Sequence, residues 1–211
     1  MENAVLTGYF FDKNVITTDS IKLCVYSVNV FKRPALLSVE MLKLATLIPE
    51  EDISVYFVDN DVIFKTETME IAGAQLEDIE TYPVEELESF LETEFPSNCV
   101  VNKGLVLSAL DRLNIFVSEY DKNTIKLVFT KDGMKIISRR TKAEETIPYM
   151  ESESFEEFEC LVDIQQFKDQ LNALATDSID LSYGSPQAIK IVEGKVCLLY
   201  TSPSPRDKRQ S

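Results

Sequence analysis

Residues Phe158–Leu181 read FECLVDIQQFKDQLNALATDSIDL, and the fold turns on how this stretch is read. Glu159–Val162 has the β-rich character of a short strand. Asp163 follows, where an N-cap carboxylate can accept a free backbone N–H. Ile164, Phe167, Leu171 and Leu174 then recur at helical spacing and form one apolar stripe, which predicts a helix over Asp163–Ala175. Ile179–Tyr183 and Ala188–Val192 follow as a hairpin. The plan is one strand, one helix of about three turns and one hairpin.

The same plan occurs twice more. Cys99–Val101 leads into a helix over Asn102–Leu113, whose stripe is Val106, Ala109, Leu110 and Leu113, and then into Ile125–Thr130 and Met134–Ser138 around the Asp132-Gly133 turn. Ala35–Leu37 leads into Ser38–Ile48, then Ile53–Val58 and Val62–Thr66 around Asp59-Asn60. A further hairpin, Leu6–Phe11 and Val15–Thr17 around Asp12-Lys13-Asn14, opens the chain without a preceding helix. A single unit cannot bury both its helix stripe and its sheet face, whereas two side by side make a domain of roughly 100 residues. Cys99–Val196 is then one two-unit domain. Met1 to about Leu91 holds the later part of another, and the acidic stretch Leu76–Glu94 is expected to connect them, limited by Pro83 and Pro96.

The 211 residues are 45% hydrophobic and 27% charged, which argues against disorder. Apolar runs are far too short to cross a bilayer, and Met1-Glu2-Asn3-Ala4 does not start a signal peptide. No histidine is present, and Cys24, Cys99, Cys160 and Cys197 are widely spaced, so neither a zinc site nor a His general base is expected. GxSxG, P-loop and GxGxxG patterns are missing too. Acidic runs such as Glu85-Glu86 and Glu151–Glu159 read as solvated surface. A two-metal nuclease, an alternative, would need acids such as Asp61, Asp163 and Asp177 to converge, yet Asp163 reads as a helix cap and Asp177 as a turn residue.

Val15–Leu23, VITTDSIKL, resembles the "aTDg.rL" strand and turn of the bacterial-type sliding clamps, the β subunits of replicative DNA polymerase III. Ser20 stands at the usual glycine and Lys22 at the usual arginine. Ala109–Leu113 resembles the family's "al.R" helix, Phe158–Leu181 its final unit, and Ser185–Ile191 the strand that leads to its C-terminus. The likeness covers nearly all of residues 5–196 and has a divergent, phage-like character. It implies an α+β DNA-clamp fold: repeated strand–helix–hairpin units with helices on one concave face and antiparallel sheets on the other. Residues 1–95 would be a partial clamp domain with the acidic connector, and 96–196 a clamp domain. The implied protein is a non-catalytic processivity factor of the bacterial cytoplasm, a homo-oligomeric ring when full length, with no cofactor and no membrane.

A net charge of −15 argues against DNA binding through the overall field. Its distribution answers part of that objection. The helix faces opposite the core stripes carry Lys43, Lys103, Arg112, Gln165, Lys168 and Asn172, and they are nearly neutral to faintly positive. They are the expected DNA-facing residues for weak, sequence-blind contact with double-stranded DNA; the plainer reading is ordinary solvated helix surface. By resemblance, Thr18, Leu23, Pro83, Ser185 and Pro186 would form a cleft for short apolar motifs of the polymerase and clamp loader, although Leu23 also suits a plain core position. The other alternative is a phage structural or regulatory protein of the same two-layer build. Finally, Cys197–Asp207, CLLYTSPSPRD, resembles the in-frame translation of a sequencing-library adapter, so 197–211 is expected to be a non-native tail. Its Ser-Pro repeats cannot sustain a sheet ladder, while Cys197–Leu199 can still extend a strand.

Overall fold

The computed structural model describes residues 4–28, 31–49, 52–77, 79–116, 123–184 and 188–201. It divides into two compact units, Met1–Phe90 and Leu91–Ser211.

In the first unit a 3-10 turn, Ala4–Thr7, precedes β1 (Tyr9–Phe11), β2 (Val15–Thr18), β3 (Lys22–Tyr26), β4 (Ala35–Leu37), α1 (Val39–Ala45), β5 (Ser54–Val58), β6 (Asp61–Lys65) and β7 (Glu70–Ala74). The opening strand therefore begins at Tyr9 rather than Leu6. Ser38 caps α1 as its spacing predicts, its Oγ accepting from the Met41 amide at 3.1 Å. Within this unit β3-β2-β1-β4 form one antiparallel sheet and β5-β6-β7 another. Phe11, Phe31, Leu37, Met41, Val62 and Phe64 build the core between them. Its aromatic rings meet in tilted and edge-on pairs, with Phe31 against Phe11, Phe57 and Phe64. The acidic stretch expected as a connector is largely helical: a 3-10 turn, Ile79–Thr81, and α2 (Val84–Leu91).

The second unit comprises β8 (Ser97–Asn102), α3 (Lys103–Asn114), β9 (Thr124–Thr130), β10 (Gly133–Ser138), β11 (Glu144–Ile147), β12 (Tyr149–Ser154), β13 (Phe158–Asp163), α4 (Ile164–Asn172), β14 (Ser178–Gly184), β15 (Ala188–Glu193) and β16 (Val196–Thr201). All of its strand pairs are antiparallel. Each helix is introduced by a strand that joins the other half's sheet. β13 pairs with β9 to give the order β11-β10-β9-β13, and β8 pairs with β14 in the order β12-β8-β14-β15-β16. That exchange interlocks the halves, and α3 and α4 pack on each other. Phe129 and Tyr183, one from each sheet, stack at 3.9 Å between ring centroids and are fully buried. Burying rings of this size removes about 2–3 kcal/mol of unfavourable hydration each.

Glu151–Glu159, expected as an acidic surface run, supplies most of β12 and the start of β13. In β12 the side chains from Met150 to Ser154 are exposed, so strand pairing rather than burial accounts for its shape. Cys197–Thr201 belongs to β16, with Leu198, Leu199 and Tyr200 buried. The Tyr200 hydroxyl accepts from the Asp163 amide at 2.9 Å, one residue before α4 begins. The strand thus runs two residues beyond Leu199. The rest of the segment read as a foreign tail, residues 202–211, lies outside the described residues.

Candidate nucleic-acid and partner interfaces

Two capped helices make up the candidate nucleic-acid face of the second unit. Asn102 Oδ1 accepts from the Leu105 amide and Asp163 Oδ1 from the Gln166 amide, both at 2.9 Å. An acidic cap also complements the positive helix start of α4. Val106, Ala109, Leu110 and Leu113 on α3, and Ile164, Phe167 and Leu171 on α4, turn into the core. Helical periodicity then leaves Asp111 and Arg112 on one outward surface, and Gln165, Lys168, Asp169 and Asn172 on the other.

The expected DNA-facing cations of this unit are engaged within the protein. The Lys168 ammonium reaches across from α4 to bond the Asp111 carboxylate on α3. Arg112 grips Glu145 on β11 with both Nε and an Nη, each at 2.5 Å. That fork raises the Arg112 pKa and holds the Glu145 carboxyl below the usual carboxylate range. The Lys103 ammonium donates to the Leu174 carbonyl at 2.8 Å, satisfying a backbone group just past the end of α4. Gln165 donates to Asp169 at 2.8 Å, Asn172 is exposed, and Lys43 lies exposed on α1 of the first unit. The sequence shows Asp169 as the only acid near Lys168 on its own helix. The acid that binds Lys168 is 57 residues away, and the one that binds Arg112 is 33 away. Local periodicity carries no signal for such pairings.

Thr18 and Leu23 stand directly opposite each other across the β2–β3 ladder. Between them the turn is closed by side chains. Thr18 Oγ1 donates to the Lys22 carbonyl at 2.7 Å, and Asp19 Oδ1 accepts from the Ile21 and Lys22 amides at 3.0 and 2.8 Å. Burial alone would raise the Asp19 pKa, but the Lys22 ammonium and these two amides outweigh it and hold the carboxyl low. Leu23 is only 3% exposed, so its side chain belongs to the covered face of the strand.

Pro83 follows Tyr82, whose hydroxyl donates to the Ile16 carbonyl at 3.2 Å, two residues before Thr18. Burial pushes the Tyr82 phenol up to about 12, and its ring stacks on Phe10 at 5.1 Å. Phe10, Pro34, Ile79, Tyr82 and Pro83 line an open pocket of about 640 Å³ in the first unit, with Glu80, Glu85 and Glu86 also on its wall. Tyr82 thus ties the residue before Pro83 to β2, the strand that ends at Thr18, while Pro83 lines the pocket and Thr18 and Leu23 do not. Ser185 and Pro186 lie outside the described residues. The sequence reading does not single out the tyrosine or the pocket; Tyr-Pro ahead of an acidic stretch is the signal that could have found them.

All four cysteines are free, and burial pushes the Cys99 and Cys160 thiols up to about 12, which makes them poor nucleophiles. Among the described residues no three Cys, Asp or Glu side chains come together to hold a metal. The nuclease alternative placed a carboxylate cluster on Asp61, Asp163 and Asp177. Asp163 instead caps α4, and the Asp177 carbonyl accepts from the Lys103 amide. No described helix is long and apolar enough to cross a membrane.

Interlocked strand–helix–meander halves with adjacent helices define the DNA-clamp fold. The chain has the fold of the bacterial DNA polymerase III β sliding clamps. The DNA polymerase III subunit β of Borrelia burgdorferi, solved with a natural product, matches at a TM-score of 0.83 and 18% identity, over 96% of this chain and 57% of that one. The DNA polymerase sliding clamp of Bacillus subtilis matches at 0.82 and 18%, with the same coverage. The Helicobacter pylori β clamp bound to a DNA ligase peptide matches at 0.79 and 20%, over 97% and 59%. The chain therefore spans less than two thirds of these clamps' length. No protein-family model and no curated protein sequence matches it.

Proposed function

We propose that this chain is part of a DNA polymerase processivity factor: a sliding clamp that encircles double-stranded DNA and tethers replication proteins through short apolar motifs. The observation that carries the reading is the likeness to β clamps, which extends over nearly the whole chain at TM-scores near 0.8. The role is mechanical, and this chain performs no catalysis. DNA is held by topology, so its contacts with the helices can be weak and blind to sequence. The partner motif would lie against the Thr18–Leu23 hairpin and Pro83 of the first unit.

Self-association has a candidate surface too. Ile115 is 80% exposed and Phe116 43% exposed at the end of α3. They follow Arg112, which is tied to β11, an edge strand of its sheet. An apolar pair beside an open strand edge suits a second subunit.

The reading is tested by titrating the chain with several short linear duplexes of unrelated sequence, and with a peptide from a replicative polymerase tail. Weak DNA binding of equal strength for every sequence is expected, together with peptide capture that Pro83→Glu abolishes while the circular dichroism spectrum is unchanged. Tight, sequence-selective binding of one duplex would overturn it, as would a folded Pro83→Glu variant that still captures the peptide.

A further inference from the structure

Two carboxylates take up cations of the candidate nucleic-acid face of the second unit. Lys168 is held by Asp111 across the α3–α4 contact, and Arg112 is held by Glu145. The pairs differ in how readily they open. Arg112 and Glu145 meet in a two-bond planar fork, which fixes both groups. Lys168 meets Asp111 through a single ammonium. The Asp111 side chain is 64% exposed while that of Lys168 is only 19% exposed. The lysine stem is thus laid along the helix pair, and its charge is presented at the surface through a carboxylate that water reaches freely.

We propose that Asp111 is a built-in competitor for phosphate, a residue that sets how strongly Lys168 engages a nucleic-acid backbone. A carboxylate on an ammonium occupies the donors a phosphate oxygen would take. A backbone phosphate must therefore displace Asp111 and then lie beside its unpaired negative charge. Both effects weaken the contact without removing the cation. The surface stays close to electrically neutral, and a duplex can move along it because each phosphate contact replaces an internal one of similar strength. This inference rests on the reading of the α3–α4 surface as the face that meets DNA, and it adds the residue that tunes the contact. Asp169 does not serve the same purpose, because it is engaged by Gln165 on its own helix.

The test uses the whole chain and a fluorescently labelled linear duplex, followed by anisotropy over a range of salt concentrations. Asp111→Asn keeps the shape of the side chain at an exposed helical position. It should bind the duplex about two- to fivefold more tightly at low salt, the range expected for releasing one exposed ion pair. Its salt dependence should steepen by about one unit of slope, one more phosphate being engaged. Glu153→Gln on β12 makes the same change in net charge away from both helices and should bind as the unaltered chain does. Adding Lys168→Ala to Asp111→Asn should erase the gain. The proposal is overturned if Asp111→Asn and Glu153→Gln strengthen binding equally, since net charge alone would then be responsible. It is also overturned if the gain survives in the double variant, or if Asp111→Asn gains nothing while Lys168→Ala weakens the unaltered chain. The last result would leave the DNA-facing reading intact. Absence of binding by every variant, Asp111→Asn included, would remove that reading and this proposal together.

Discussion

Ser20 occupies the tip of the β2–β3 hairpin with φ at 72°, in the left-handed region. A Cβ there crowds the backbone, and glycine avoids the strain at the cost of a more flexible unfolded chain. The hairpin is held in spite of this, because the Thr18 hydroxyl accepts from the Ser20 amide at 3.1 Å and Asp19 closes the next two amides. A glycine at this place, as in the pattern that Val15–Leu23 resembles, would answer a requirement of backbone geometry. Ser20→Gly should stabilise the chain by about 0.5–1 kcal/mol, seen as a higher urea midpoint with an unchanged slope. A lower midpoint would mean that serine is supported by contacts beyond the turn. Asp19 beside it has a lowered pKa in the folded state. Its contribution to stability is present above the unfolded value near 3.8 and is lost as pH falls through the lower folded value. Asp19→Asn should therefore be less stable than the unaltered chain at neutral pH, and the two should converge in acid. A constant difference from pH 7 down to pH 2 would show that the Asp19 charge is not involved.

At the scale of elements, the β9–β10 hairpin depends on one backbone position. Gly133 has φ at 149°, and a Cβ on it would stand 2.5 Å from the Ile147 carbonyl oxygen on β11. Gly133→Ala should cost more than about 2 kcal/mol, measured by chemical denaturation; a cost below about 0.5 kcal/mol would show that β11 can move aside. The Asp132-Gly133 pair made this turn legible in the sequence, and Ser38, Asn102 and Asp163 made the helix starts legible, because caps and turns are local chemistry. The two strands that follow the β9–β10 hairpin were harder to read. β11 and β12 each carry two glutamates, β11 is half exposed and β12 largely so, and their shape follows from pairing with β10 and β8 rather than from apolar alternation. α2 was read as part of a connector, since acid dominates Val84–Leu91 and none of its side chains is fully buried. The candidate site divides along the same line. Its outward residues follow from helical spacing, but the partners of Lys168 and Arg112 come from elements far away in sequence. The charge state of the surface was legible only in three dimensions.

Across the whole molecule the two units are not equally supported. In the second, each half lends its opening strand to the sheet of the other, so neither half can open without breaking both ladders. Its helices cover each other, and Phe129, Phe167 and Tyr183 are essentially inaccessible. In the first unit α1 packs near β7, and Leu44 on it and Leu47 just beyond its end remain 48% and 67% exposed. β5 leaves Tyr56 and Val58 half exposed on a sheet of three strands. Less apolar surface removed from water per ordered residue means a smaller margin over conformational entropy. Local stability should then differ along the chain, with the first unit opening sub-globally before the second. Native-state hydrogen exchange in low denaturant should find the amides of β9, β13 and β14 exchanging only through global unfolding, while those of β5, β6 and β7 exchange earlier by a route with a smaller denaturant dependence. Added salt should narrow the gap only slightly, because apolar burial rather than charge sets it. If β5–β7 amides shared the slowest free energy and slope, the chain would be a single cooperative body, and the exposure of Leu44 and Leu47 would carry no energetic weight.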